Sequence, residues 1–170
     1  MMESGRGDLA GEITRAPIIE KLFPDLMRVP VLMDLVGAST FIKASLGPGI
    51  GLEVAALLRV GIVRGVKVIE AWTTDWPHVE RVDNSTELVK MLLAGNVDVI
   101  IAFTDDVRNA MVDNALAATA FNAKEVERIA QYHYLHKRHA AIVPGITVEL
   151  NKIRSNFKTV AEGFKSRGDK

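Results

Sequence analysis

The chain has 170 residues and equal numbers of basic and acidic side chains, 21 of each, so its formal net charge is zero. That balance excludes a global field drawing it to nucleic acid or a membrane surface. Cysteine is absent, which excludes disulfides, thiolate metal ligands and a cysteine nucleophile. No apolar run reaches the ~18 residues a membrane span needs, and the N-terminus lacks a basic-then-apolar signal pattern, so a cytosolic protein is expected.

Residues 1–14 are glycine-rich and charged and read as a flexible lead-in, with a single α/β domain over 15–170. Pro17 opens a short helix with Ile18, Ile19, Leu22 and Phe23 on its apolar face. Val29 to Val36 reads as a first strand, with Pro30 tolerated near its start. Gly37 ends it, and Ser39 and Thr40 follow. Phe41 to Leu46 fits a short helix or a strand. After the glycine-rich loop Ser45 to Gly51 a helix is expected over Leu52 to Val60, stopped by Gly61. Val66 to Trp72 alternates as a second strand and delivers Thr73, Thr74 and Asp75.

The best-defined stretch is Asn84 to Asp106. Asn84 and Glu87 stand at capping-box spacing. Leu88, Met91 and Leu92 form one helical stripe, and Gly95 supplies the left-handed stop. Val97 to Phe103 is apolar apart from Asp98, as suits a strand covered on both faces. Thr104, Asp105 and Asp106 then open another helix. Further on, Asn122 and Glu125 suggest a second capping box, with a helix to about His139. Ala140 to Val143 fits a short fourth strand, and Thr147 a cap for a last amphipathic helix carrying Leu150, Ile153, Phe157, Val160 and Phe164. Alternating strands and helices predict a three-layer Rossmann-like or flavodoxin-like sandwich on a mostly parallel sheet of about four or five strands.

In such sheets ligands bind beyond the carboxyl ends of the strands. The expected strand ends carry Ser39 and Thr40, then Thr74 and Asp75, then Thr104, Asp105 and Asp106, then Pro144, Gly145 and Thr147. The plain alternative is that these side chains only cap helices and form turns. One cap needs one acceptor, so the doubled Asp105–Asp106 points to a sugar hydroxyl, a Mg2+ ion or a catalytic base. Gly47, Gly49 and Gly51, with Lys43 nearby, suggest phosphate binding, although the spacing matches neither a Walker loop nor G-x-G-x-x-G, and a tight turn explains it as well. On the expected helix, His133 and His136 share a face beside Tyr132, Tyr134, Lys137 and Arg138. That group suits an anionic ligand with a histidine as general acid or base, a metal, a nucleic acid, or a plain cationic helix end. His78 and Trp76 lie in a loop that either covers a pocket or plugs the core.

These readings converge on a cytosolic enzyme for a small anionic metabolite, phosphorylated or nucleotide-like. Group transfer or isomerisation is expected, as a transferase or isomerase, with Asp105, Asp106, His133 and His136 as catalytic candidates. The alternative is a non-catalytic ligand-binding or assembly subunit forming a homo-oligomer through apolar helix faces. Neutral charge argues against nucleic acid.

Overall fold

The computed structural model describes the backbone of residues 13–168 and the side chains of 15–155. The chain is α/β with a mixed sheet. Its strands are β1 (Ile13–Arg15), β2 (Leu26–Lys43), β3 (Val60–Val63), β4 (Val79–Val82), β5 (Val99–Phe103) and β6 (Phe121–His136), in the order β1-β6-β2-β5-β3-β4. Its helices are α1 (Ile19–Leu22), α2 (Leu52–Ala55), α3 (Lys67–Trp72), α4 (Ser85–Ala94), α5 (Thr104–Asp113) and α6 (Val143–Gly168). Of the described pairings, β3–β4 and β3–β5 are parallel, while β2–β5 and β1–β6 are antiparallel. The expected α/β class holds, but among the described pairings only those within β4-β3-β5 are parallel.

Contacts divide the chain into two compact units, one of residues 1–34 and 130–170, the other of Leu35–Ile129. The second unit draws residues from five strands and has helices on both faces. β5 shows why: its side chains alternate, as a strand's must, between two cores. Ile100 and Ala102 pack with Phe41, Leu88, Leu92, Val107 and Met111 of one cluster. Val99 and Ile101 pack with Ile42, Ala55, Ile62 and Ile69 of the other. So α4 and α5 cover one face, and α2 and α3 the other. In the first unit, Val29, Val31 and Leu135 form a smaller core under Val143, Ile146 and Leu150 of α6.

The stretch from Asn84 to Asp106 folds as read, except that β5 begins at Val99 rather than Val97. The Asn84 side chain accepts from Glu87 N at 2.9 Å, and Gly95 ends α4 in the left-handed region at φ 77. The Glu87 carboxylate reaches back to Asp83 N at 3.3 Å. Trp76 packs on the second core rather than covering a pocket.

Elsewhere the pattern misleads. Gly37 does not end a strand; β2 runs on through the ambiguous segment to Lys43. Pro30 costs no hydrogen bond to β5, because that pairing covers only Ala38 to Phe41. The expected helix from Leu52 stops at Ala55, and Val60–Val63 is β3, so Gly61 sits inside a strand. Val66 to Trp72 is helix α3, not a strand. Gly65, at φ 86, turns the chain into it and donates its amide to Glu70 Oε1 at 2.8 Å. The second capping box does not form: Asn122 to His136 belongs to β6. Asn122 donates to Gly47 O at 2.7 Å instead. The fourth strand is absent too, since 137–142 is 3-10 helix and α6 starts at Val143. Thr147 lies within α6 and donates to Val143 O at 2.8 Å, so it is no cap. Pro144 falls in the first turn of α6, where its missing amide costs nothing. Ile153 is exposed, and Phe157, Val160 and Phe164 lie outside the described side chains.

Candidate functional site

Strand direction decides which expected residues meet. β2 runs against β5, so the Gly37 end of β2, not the Lys43 end, lies beside the carboxyl end of β5, with Ala38 opposite Phe103. Thr104 Oγ1 donates to Gly37 O at 3.1 Å. Ser39 Oγ lies 2.8 Å from Thr104 Oγ1, and since the Thr104 proton is committed to Gly37, Ser39 is the donor. The result is a part-buried chain of hydrogen bonds from Ser39 through Thr104 to the Gly37 carbonyl. A Cβ on Gly37 would stand 2.9 Å from Glu125 Oε2 and 3.3 Å from Thr104 Oγ1, so Glu125 of β6 borders the same spot. Glu125 accepts from Arg128 Nε at 3.1 Å.

These side chains do not cap α5. Its N-cap position, Phe103, makes no side-chain capping bond, and the Thr104 hydroxyl is spent on Gly37. The plain capping reading therefore fails at this helix, whereas it holds at α4. Among the described contacts no side chain caps the first-turn amides of α5, and Asp105 and Asp106 stand exposed beside them. Asp105 pairs loosely with Arg108 at 3.4 Å. Although Asp106 as a residue is exposed, partial desolvation of its carboxyl, and then the neighbouring Asp105 charge, push it above its ordinary value.

Two further charged groups belong to this edge and escape sequence reasoning. β3 is parallel to β5 with Ile62 opposite Ile101, so Arg64 stands level with Phe103, one strand spacing of about 4.8 Å away. The Arg64 guanidinium forms an ion pair with Asp83 at the end of β4; both side chains are largely exposed. The signal was present as Arg64–Gly65 directly after the apolar Val60 to Val63, but it is visible only once that run is known to be a strand.

The remaining candidates lie elsewhere. Lys43 is at the opposite edge, where a Cβ on Gly95 would stand 3.6 Å from its Nζ. His78 is also at that amino edge, since its carbonyl accepts from Val60 N at 2.8 Å where β3 begins. Thr74 and Asp75 follow helix α3 rather than a strand, and Thr74 Oγ1 donates back to Glu70 O at 3.0 Å. Gly47, Gly49 and Gly51 form a loop packed against β6. Asn122 grips the carbonyl of Gly47, and Thr40 donates to the carbonyl of Ile50. A Cβ on Gly49 would come within 2.7 Å of the Ala123 backbone, so the loop is a seam sewn onto β6. The α2 helix behind it has only four residues. Thr40 sits one residue from Ser39 and so faces the opposite side of the sheet.

His133 and His136 lie in β6 within the other unit, and three residues apart on a strand they face opposite sides. His136 Nδ1 accepts from Arg138 N at 3.2 Å. Beside them, Arg28 lies 4.8 Å above the Tyr132 ring and pairs with Glu20 at 3.2 Å, and the Tyr134 hydroxyl donates to Glu20 at 2.9 Å. The tyrosine–histidine segment thus packs as a strand rather than presenting one helical face. Among the described residues, no three His, Asp or Glu side chains are grouped as a metal site requires, and no helix is long and apolar enough to cross a membrane.

No family model matches the chain, and no curated protein matches it. Solved structures do. A histidine kinase sensor domain with similarity to periplasmic binding proteins superposes with a TM-score of 0.70 at 17% identity, covering 96% of this chain and 71% of its own. An ancestral arginine-binding protein bound to glutamine gives 0.67 at 15%, covering 91% and 68%. The holo arginine-binding protein of T. maritima gives 0.66 at 15%, covering 89% and 66%. The substrate-binding protein of an amino acid ABC transporter gives 0.67 at 14%, covering 96% and 74%. The chain thus spans about two thirds to three quarters of these neighbours, and the likeness is one of fold.

The neighbours overturn the expected enzyme. They are by name binding proteins and a sensor domain, so neither a transferase or isomerase nor a cytoplasmic enzyme of phosphorylated metabolites agrees with them. Within the unit that holds Asp105 and Asp106, the one histidine, His78, lies at the opposite edge of the sheet. An anionic metabolite and a homo-oligomer likewise find no support among these neighbours. The chain has the α/β fold with a mixed sheet seen in periplasmic-binding-protein-like structures.

Proposed function

We propose that the chain is a non-catalytic binding module for a small zwitterion of the amino-acid class, received at the carboxyl edge of β5. One observation carries the reading. The first turn of α5 is uncapped while two carboxylates stand on it and Arg64 stands one strand away. A zwitterion needs both signs within a few ångströms. Here the uncapped amides suit a carboxylate, with Arg64, already paired to Asp83, adding positive field along the edge, and Asp105 and Asp106 suit an ammonium group. The raised proton affinity of Asp106 fits, because an incoming ammonium would supply the missing counter-charge. Ser39 and Thr104 hold the floor of the site. The fold neighbours, named for arginine and other amino acids, support the same class of ligand. Parallel strands β4-β3-β5, with helices on both faces, support a Rossmann-like reading of this unit, in which carboxyl-edge binding is the general rule.

Thermal-shift measurements with the twenty free amino acids test the proposal. A ligand at a hundred times its dissociation constant stabilises by about 2.7 kcal/mol. The expected hit weakens in both Asp106→Asn and Arg64→Gln while the circular dichroism spectra stay native. A hit unaffected by both substitutions would remove the ligand from this edge.

A further inference from the structure

The second half of α5 borders a cavity of about 420 Å³ in the same unit, separate from the residues of the carboxyl edge. Seven of its eight lining residues are apolar, among them Phe41, Met111, Val112 and Phe121. The eighth is Arg108. The volume falls in the range of small-molecule sites. An apolar wall offers water few partners, so water there is readily displaced by methylenes. Leu116 N donates to Met111 O at 2.9 Å and Ala115 N to Val112 O at 3.0 Å, which holds Leu116 beside Met111 in a Schellman turn. Val112 is 76% exposed, leaving an apolar side chain at the mouth without cover. Arg108 makes only a long contact of 3.4 Å to Asp105, so most of its five donors are uncommitted among the contacts described.

We propose that this cavity is a second binding site, which takes an unbranched aliphatic monocarboxylate with its chain in the cavity and its carboxylate on Arg108. The site does not rest on the amino-acid reading: its lining residues are distinct from those of the proposed zwitterion site, and the two meet only in the 3.4 Å Arg108–Asp105 contact. The lining sets the class: one cation beside an otherwise apolar chamber suits a ligand with one anionic end and no other polar group.

The probes are hexanoate, octanoate and octanol, added to the full chain carrying 13C-methyl methionine. Octanoate is expected to move the Met111 methyl signal and leave that of Met33, in the other unit, in place. Each added methylene tightens binding about fourfold, so octanoate binds about fifteenfold more tightly than hexanoate. Arg108→Gln weakens octanoate about threefold and leaves octanol unchanged. Ala118→Trp fills the mouth and abolishes the shift; Ala123→Leu does the same from the β6 side should the tryptophan variant fail to fold. An unmoved Met111 signal at millimolar octanoate, octanol binding as tightly as octanoate, or binding that survives both plugs would each overturn the proposal.

Discussion

Two helices of this chain end in the same motif with different residues at its left-handed position, and the difference has a measurable consequence. At the end of α4, Asn96 N donates to Met91 O and Gly95 N to Leu92 O, both at 3.1 Å, with Gly95 at φ 77. At the end of α5, the matching bonds run from Leu116 and Ala115, but Ala115 holds the positive φ, at 53. The left-handed conformation costs a residue bearing a Cβ about 1–2 kcal/mol, and glycine nothing. Glycine gives back part of that through its freer unfolded chain, about 0.4–1 kcal/mol. Ala115→Gly should therefore stabilise by about 0.5–1 kcal/mol, or about 1–4 °C in Tm for a chain of this length. Gly95→Ala should lose about the same amount. Its new Cβ would meet nothing closer than Lys43 Nζ at 3.6 Å, so the loss is conformational and not steric. Urea unfolding of the wild type and both variants provides the assay. Unchanged m-values with opposite shifts of the midpoint are expected. An Ala115→Gly variant no more stable than wild type would refute the reasoning.

Gly49→Ala drives a Cβ to 2.7 Å from the Ala123 backbone, which no side-chain rotation relieves; a loss of about 2 kcal/mol, read as a lowered urea midpoint, is expected, and a neutral effect would show that the loop is not sewn to β6. Asp106→Asn bears on pH. Burial first, then Asp105, raises the Asp106 carboxyl in the folded state, so its favourable contribution exists below the ordinary value of about 3.9 and is lost as pH rises through the folded value. The variant should be the more stable one at pH 7, within about 1 kcal/mol after solvent screening, and equal to wild type near pH 3. Asp98 is the opposite case: the Arg59 hydrogen bond holds its carboxyl below the usual range, so its contribution is present at neutral pH and fades as pH falls through that lowered value. Asp98→Asn should lower Tm at pH 7 by about 2–4 °C at most, with the gap closing in acid.

The legible part of the sequence was the part whose signals are local. Asn84, Glu87 and Gly95 specify the ends of α4 with their own hydrogen bonds, and Val99 to Phe103 is apolar on both faces because both faces are covered. The illegible part depended on partners distant in sequence. Val126, Ile129, Ala130 and His133 stand at helical spacing, yet the segment is a 16-residue strand between β1 and β2, and the β-branched and aromatic residues Val126, Ile129, Tyr132 and Tyr134 are the signal that agreed with it. Val66 to Trp72 alternates but also carries Val66 and Ile69 at helical spacing, and the turn at Gly65 settles it as a helix. For the site, Thr104, Asp105, Asp106 and Ser39 were visible as hydroxyls and carboxylates at strand ends. Ser39 was placed there on the wrong assumption, that β2 stops at Gly37; it reaches the edge because β2 runs antiparallel to β5. Arg64 and Asp83 were invisible because β3 and β4 are four-residue strands.

We propose that the chain binds an amino acid and leaves it chemically unchanged. Calorimetric titration with the amino acid that gives the largest thermal shift, followed by mass spectrometry of the ligand recovered after prolonged incubation, tests it most directly. The account expects saturable one-site binding, weakened together by Asp106→Asn and Arg64→Gln, with the ligand recovered intact. Conversion of the ligand, or tight binding of a phosphorylated metabolite with no amino acid bound, would contradict it.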